Sequence, residues 1–285
     1  MSVDVLRLAS DALELELLPQ VGARWHRLRA FGQDVLRTPP NPAMHAGDPF
    51  FWGAYVMAPW CNRLPAGPME WQGQVIDLAA NFPDGTAIHG QVYDGPWEVG
   101  DDGRLQIDAG GDGWPWAYRV VQRLALSGAT LRVELSVENR SQAPMPAGLG
   151  MHPWFPRPVR VAIDAEDVYP SNAASPAEPE PVRGALDMRT LGTPATGLDA
   201  TWTRLGDPAV RLAWPSGLTC ELRLGDGASH VVLASPEEPD AVAIEPQSQA
   251  PNGMRRTTGG EPGGLTVLAP GSTLTMWFEA RFQQV

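Results

Sequence analysis

From Leu131 to Glu138 the chain reads Leu-Arg-Val-Glu-Leu-Ser-Val-Glu, apolar and polar in strict alternation. Successive side chains of an extended strand point to opposite faces. This pattern therefore buries Leu131, Val133, Leu135 and Val137 and leaves Arg132, Glu134, Ser136 and Glu138 to water. Leu13-Glu14-Leu15-Glu16-Leu17 repeats the device, as do Leu274, Met276, Phe278, Ala280 and Phe282 between Thr273, Thr275, Trp277, Glu279 and Arg281. Shorter strand-like runs are Leu105–Ala109, Tyr118–Leu126, Val210–Trp214, Thr219–Leu224, His230–Ala234 and Ala241–Glu245. No stretch of a dozen residues keeps helical spacing without meeting Gly or Pro, which account for 30 and 29 of the 285 residues. Strands punctuated by such turns, and not alternating with helices, predict an all-β chain whose antiparallel sheets pack as a sandwich or close as a barrel. Residues 165–198 are rich in Pro, Ala, Ser and Glu. Because both flanks share one strand style, this segment is predicted to be a long excursion loop within a single domain spanning residues 1–285.

Charge and composition narrow the chemistry. The formal net charge is −12, so a phosphate backbone is repelled and nucleic acid is not an expected partner. All 21 basic residues are Arg, which removes Schiff-base chemistry and a Walker-type lysine. Cys61 and Cys220 are too few for a disulfide scaffold or a cysteine zinc site. The N-terminus lacks a basic region followed by an apolar stretch, and no run reaches membrane-spanning length. A cytoplasmic protein with no membrane partner is expected.

Catalytic candidates then reduce to His and carboxylates. His26 and His230 fall in strand-like stretches and His45 in a loop, without polar company that suggests a role. His89, in Ala87-Ile88-His89-Gly90, and His152, in Gly148-Leu149-Gly150-Met151-His152-Pro153-Trp154-Phe155, sit beside glycines that permit close backbone approach. An imidazole held rigidly among aromatics suits acid–base or binding work, and equally a structural role. Glu245 ends the apolar run Ala241-Val242-Ala243-Ile244. A carboxylate there is costly unless it is paired, working or reaching water. Arg63, in Pro59-Trp60-Cys61-Asn62-Arg63-Leu64, offers a planar donor fork beside an aromatic.

Taken in order, Pro59-Trp60-Cys61-Asn62-Arg63, Ile88-His89-Gly90 followed by Trp97, Gly150-Met151-His152-Pro153-Trp154-Phe155 and Glu245-Pro246-Gln247 resemble the aldose 1-epimerase (galactose mutarotase) family. Leu186-Asp187-Met188-Arg189 followed by Leu198-Asp199 resembles the family's loop that brings a carboxylate to the sugar. The resemblance runs from about Val3 to the last strand. It implies a large antiparallel β-sandwich of the galactose mutarotase type and a sugar as the small-molecule partner, a neutral one being expected because the chain is acidic. It further implies an isomerase without cofactor or metal, and a monomer or homodimer. By the same resemblance Glu245 is the base and His152 the acid, His89, Arg63, Asp199 and Asn62 hydrogen-bond sugar hydroxyls, and Trp154 stacks on the ring. Gln91, Trp154 and Trp60-Cys61 depart from the family pattern at positions expected to set sugar selectivity. Other readings are a two-His, one-carboxylate metal centre, a carbohydrate-binding protein without turnover, and a hexose-6-phosphate 1-epimerase. The last is disfavoured by the acidic chain and by having only Arg63 and Arg157 near the motifs.

Overall fold

In the computed structural model, which describes residues 4–172 and 178–285, strands hold 53% of the chain and helices 5%. The alternating segment forms the strand Thr130–Asn139, paired antiparallel with Trp114–Ser127 on one side and Thr273–Gln284 on the other. Leu131, Val133, Leu135 and Val137 are fully buried, as their parity requires. A 17-stranded sheet curls until its apolar faces meet, and small two-stranded sheets fringe it. The resulting core is continuous from Leu13, Leu15 and Leu17 through Trp114, Trp116 and Trp202 to Met276 and Phe278. Each such large side chain contributes about 1.5–3 kcal/mol on leaving water.

Two predicted segments differ in extent. Val210–Trp214 is the end of the 16-residue strand Leu198–Ala213, whose first half is masked in sequence by Gly206-Asp207-Pro208. The sheet absorbs those residues where pairing with Arg160–Tyr169 shifts between Ile163 and Ala165. The excursion loop starts later than expected, because Arg160–Tyr169 is itself a strand, and Glu180–Pro181 pairs back onto it. Residues 173–177 of that segment lie outside the described residues. Among the described residues, no helix is long and apolar enough to cross a membrane.

The part of the sheet that matters for function is a run of antiparallel neighbours. In order these are Leu198–Ala213, His230–Ser235, Ala241–Gln247, Gly150–Pro156 and Ala54–Met57. Residues facing each other across these strands form ranks on one surface. Asp199 opposes Ala234, Ala234 opposes Ala243, and Ala243 opposes Trp154. One step along the strands, Thr201 opposes Val232 and Val232 opposes Glu245. The register fixed by Gly150 opposite Gln247 and Trp154 opposite Ala243 brings His152 opposite Glu245, and His152 in turn opposes Tyr55. Cβ atoms of directly opposed residues stand about 4.5–5.5 Å apart. The two candidate proton carriers are thus neighbours although 93 positions separate them in the chain (245 − 152).

Candidate active site

His152, Glu245, His89, Arg63, Asp199, Asn62 and Trp154 all line one cleft of about 240 Å³, with Tyr55, Phe50, Phe51, Phe82 and Asn172 completing it. The volume suits one small molecule rather than an extended chain.

At the floor, His152 Nε2 lies 3.2 Å from Glu245 Oε1, with the two side chains 5% and 4% exposed. Gln247 donates from Nε2 to Glu245 Oε2 at 2.8 Å. Burial pushes the Glu245 carboxyl up to about 8, with the nearby Asp199 charge adding to the effect. Burial likewise pulls the His152 imidazole down to about 3. A dry site disfavours both charged forms, so the pair rests as carboxyl and neutral imidazole, with one titratable proton between them. The sequence suggested a resting carboxylate and imidazolium. Desolvation reverses that resting state without removing either group.

His89 sits edge-on to His152, ring centres 4.9 Å apart at 84°. Its Nδ1 accepts from the Asn62 backbone N–H at 3.3 Å, which leaves the ring proton on Nε2. Burial, then the neighbouring His152 and Arg63, hold this imidazole well below its ordinary range, so it is a neutral donor. The local backbone is left-handed at Asn62 (φ 60°), His89 (φ 62°) and Gly90 (φ 77°). Gly90 has no substitute here, since a Cβ would stand 1.9 Å from the Ala58 carbonyl oxygen. Gly150 leaves room in the same way, because a Cβ would meet Cys61 Sγ and Met57 Cε, each at 2.7 Å.

Towards the rim the site becomes wetter and more charged. Arg63, 21% exposed, donates from Nε to Asp84 at 2.7 Å and reaches Asp199, 40% exposed, at 3.6 Å. Asn62 Oδ1 accepts from the Arg63 guanidinium, and the Phe82 ring lies under it at 5.5 Å. Asp199 is fixed further by Asn172 Nδ2 at 2.6 Å, and the Thr201 hydroxyl donates to Asn172 Oδ1 at 2.5 Å.

Some expectations need correction. Gln91 does not face the cleft. Its amide donates to the Gly111 and Asp112 carbonyls and its oxygen accepts from Tyr118. Trp60 packs on Trp114 in the core, and Cys61 is buried with Tyr55, Met57 and Tyr93. Of the departures from the family pattern, only Trp154 touches the cleft. Asp187 pairs with Arg189 away from it, leaving Asp199 as the carboxylate that the loop supplies. Arg157 turns to Ser235, Pro236 and Asp240 and does not line the cleft. His26 and His45, which lacked visible partners in sequence, hydrogen-bond each other at 3.1 Å in the interior. Among the described residues, no three His, Cys, Asp or Glu side chains are grouped to hold a metal ion.

Sequence reasoning missed Tyr55. Its ring stacks on His152 at 4.7 Å and 19°, and the buried Arg24 guanidinium lies over the same ring, 4.8 Å from its centre. Among the described residues His152 Nδ1 has no hydrogen-bond partner, so the anchor that often orients an imidazole is lacking. The Tyr55 face packs on the ring in its place, which would make Tyr55 a positioning residue if His152 carries a proton. Tyr55→Leu is expected to lower kcat about 10-fold with little change in KM, while Tyr55→Phe retains the parent rate. Equal kcat for both variants would remove Tyr55 from this role. The only sequence signal was its place two residues before Met57 in a short, wholly apolar run.

The aldose 1-epimerase family profile matches residues 4–280. YphB, an uncharacterised protein of Escherichia coli K12, is 25% identical over 306 aligned positions covering 98% of this chain and 99% of its own. A galactose mutarotase-like protein from Clostridium acetobutylicum superposes with a TM-score of 0.83 at 17% identity, covering 99% and 96% of the two chains. A galactose 1-epimerase from Lactobacillus acidophilus does so with a TM-score of 0.77 at 17% identity, covering 98% and 94%. The sheet is therefore of the galactose mutarotase-like β-sandwich type. With the profile extending over nearly every strand and the motif residues gathered in one cleft, the chain belongs to the aldose 1-epimerase family.

Proposed function

We propose that this protein interconverts the α and β anomers of a neutral aldose by acid–base ring opening and closure, without a cofactor. The observation that carries the reading is the buried His152–Glu245 pair, 3.2 Å apart at the floor of a sugar-sized cleft. Ring opening needs one group to take the anomeric hydroxyl proton and another to protonate the ring oxygen as the C1–O5 bond breaks. The proton that the resting pair holds on Glu245 first passes to His152; Glu245 as carboxylate then takes the anomeric proton, and His152 as imidazolium gives its own to the ring oxygen. The products are an open-chain aldehyde with a free 5-hydroxyl, a Glu245 carboxyl and a neutral His152. That protonation state is the one burial favours in the empty site, so the protein is preorganised for the ring-open intermediate. Rotation about C1–C2 and reversal of both transfers close the ring on the other face. His89 Nε2–H supports the ring oxygen, Arg63, Asp199 and Asn62 take hydroxyls, and Trp154 covers an apolar ring face.

A neutral substrate is favoured over a 6-phosphate because Arg63 is the guanidinium lining the cleft and already serves Asp84 and Asp199. The Asp199 carboxylate faces the same space.

The test is polarimetry of freshly dissolved aldoses and their 6-phosphates, with and without chelator, across pH. Neutral aldoses should equilibrate faster with protein, and chelator should not matter. Turnover should be flat through neutrality and fall as pH rises through about 8, where the pair loses its shared proton through Glu245. The acid limb should lie well below the ordinary imidazole range, because His152 resists a second proton. Loss of activity with chelator would move the protein to a metal mechanism. Sugar binding without turnover would make it a lectin.

A further inference from the structure

The ranks across the cleft floor give the site a direction. Asp199, held by Asn172 and Arg63, stands at one end. Glu245 comes next, then His152 on the adjoining strand, with Trp154 two residues along from it. If Glu245 meets the anomeric hydroxyl and His152 the ring oxygen, C2 and C3 extend back towards Asp199. The ring oxygen's other neighbour, C5, is carried past His152 towards Trp154, and C6 hangs from C5.

At that end the protein offers carbon. Phe51 packs against Trp154 with ring centres 5.7 Å apart, beside Ala243 on the adjoining strand. The polar atoms there are engaged within the chain. Trp154 Nε1 donates to the Phe50 carbonyl at 2.6 Å, and Trp154 N donates to the Gly53 carbonyl at 2.9 Å. Arg37 donates to the Phe51 carbonyl, and Arg24 donates to those of Pro49 and Trp52. The unpartnered Tyr55 hydroxyl and His152 Nδ1 are both covered by protein.

A hydroxyl placed against this wall gives up water and gains no partner, whereas a methyl gains contact. We infer that the cleft is shaped for a 6-deoxyaldose, a sugar whose chain ends in an apolar C6. This rests on the epimerase reading above, because that reading orients the ring.

The test compares matched pairs in the same anomerisation assay: galactose with 6-deoxygalactose and mannose with 6-deoxymannose, both enantiomers of each, alongside arabinose and xylose. The expected result is a kcat/KM about 10- to 100-fold higher for one 6-deoxy sugar than for its 6-hydroxy partner, and higher than for the pentoses. Phe51→Asn, which puts an amide into the wall, should shrink that ratio several-fold. Equal rates within every pair, or pentoses that outrun both members, would overturn the inference while leaving the epimerase reading intact. If no aldose is turned over, the epimerase reading fails. Calorimetric binding of the same pairs then decides the inference separately, with equal affinities counting against it.

Discussion

Glu245→Gln should lower turnover by about 100-fold or more while sugar affinity stays within a few-fold, the usual share of a positioned base. The substitution keeps the volume, and the new amide oxygen can still accept the 2.8 Å hydrogen bond from Gln247. What it removes is the capacity to take a proton. His152→Asn should do the same from the donor side. Both effects belong in kcat, because neither proton moves until the C1–O5 bond begins to break. Arg63→Ala and Asp199→Asn should instead weaken binding as well as slow turnover, since these groups are assigned to hydroxyls that the sugar presents throughout. A Glu245→Gln protein that equilibrates anomers at the parent rate would end this account of the base. Equal losses of binding and turnover in all four variants would reduce the cleft to a binding site.

The second large effect concerns stability. Arg24 is fully buried, and burial lowers its guanidinium to about 10, so it stays charged at neutral pH. It donates to the carbonyls of Pro49, Trp52 and Tyr93 and forms no salt bridge with a carboxylate among the described residues. Arg24→Met keeps much of the volume but strands those carbonyls away from water, at about 1–3 kcal/mol each. A net destabilisation of about 3–5 kcal/mol is expected, read as a lower denaturant midpoint and a Tm lower by roughly 10 °C. Activity should fall even well below the transition, because the same carbonyls hold the turn that delivers Phe50 and Phe51 to the cleft. An unchanged midpoint would mean that the turn is held by its backbone alone.

The β fold was legible because parity is a local property. Leu131, Val133, Leu135 and Val137 announce a buried face without reference to anything else in the chain. His152 and Glu245 were legible as strand-end polar groups among apolar neighbours, and the order of the motifs suggested that they meet. Their resting protonation was not legible, since it depends on how completely the cleft excludes water. Tyr55, Arg24 and Asn172 escaped for a related reason. Each acts through a partner brought from a distant strand or loop: Tyr55 stacks on His152, Arg24 caps Tyr55, and Asn172 grips Asp199. Gln91, Trp60 and Cys61 were misread because nearness to a motif in sequence is not nearness to the cleft. At those positions the chain is turning back into the core.

Because His152 and Glu245 face each other across two hydrogen-bonded strands, their meeting is a discrete property of the sheet rather than a tuned distance. Sliding either strand by one residue would send its proton carrier to the opposite face. Sliding by two would keep the face but set His152 against Ala243 or Gln247. Under the proposed chemistry no intermediate register would be partly active. Insertions, deletions and substitutions within these strands are therefore tested against an all-or-none criterion, whereas the turns carrying Phe50 and Phe51 and carrying Asp84 meet no such rule. The architecture separates what can drift from what cannot: on the proposed function, the choice of sugar could change by small steps at the rim, over a proton-carrying pair locked at the floor.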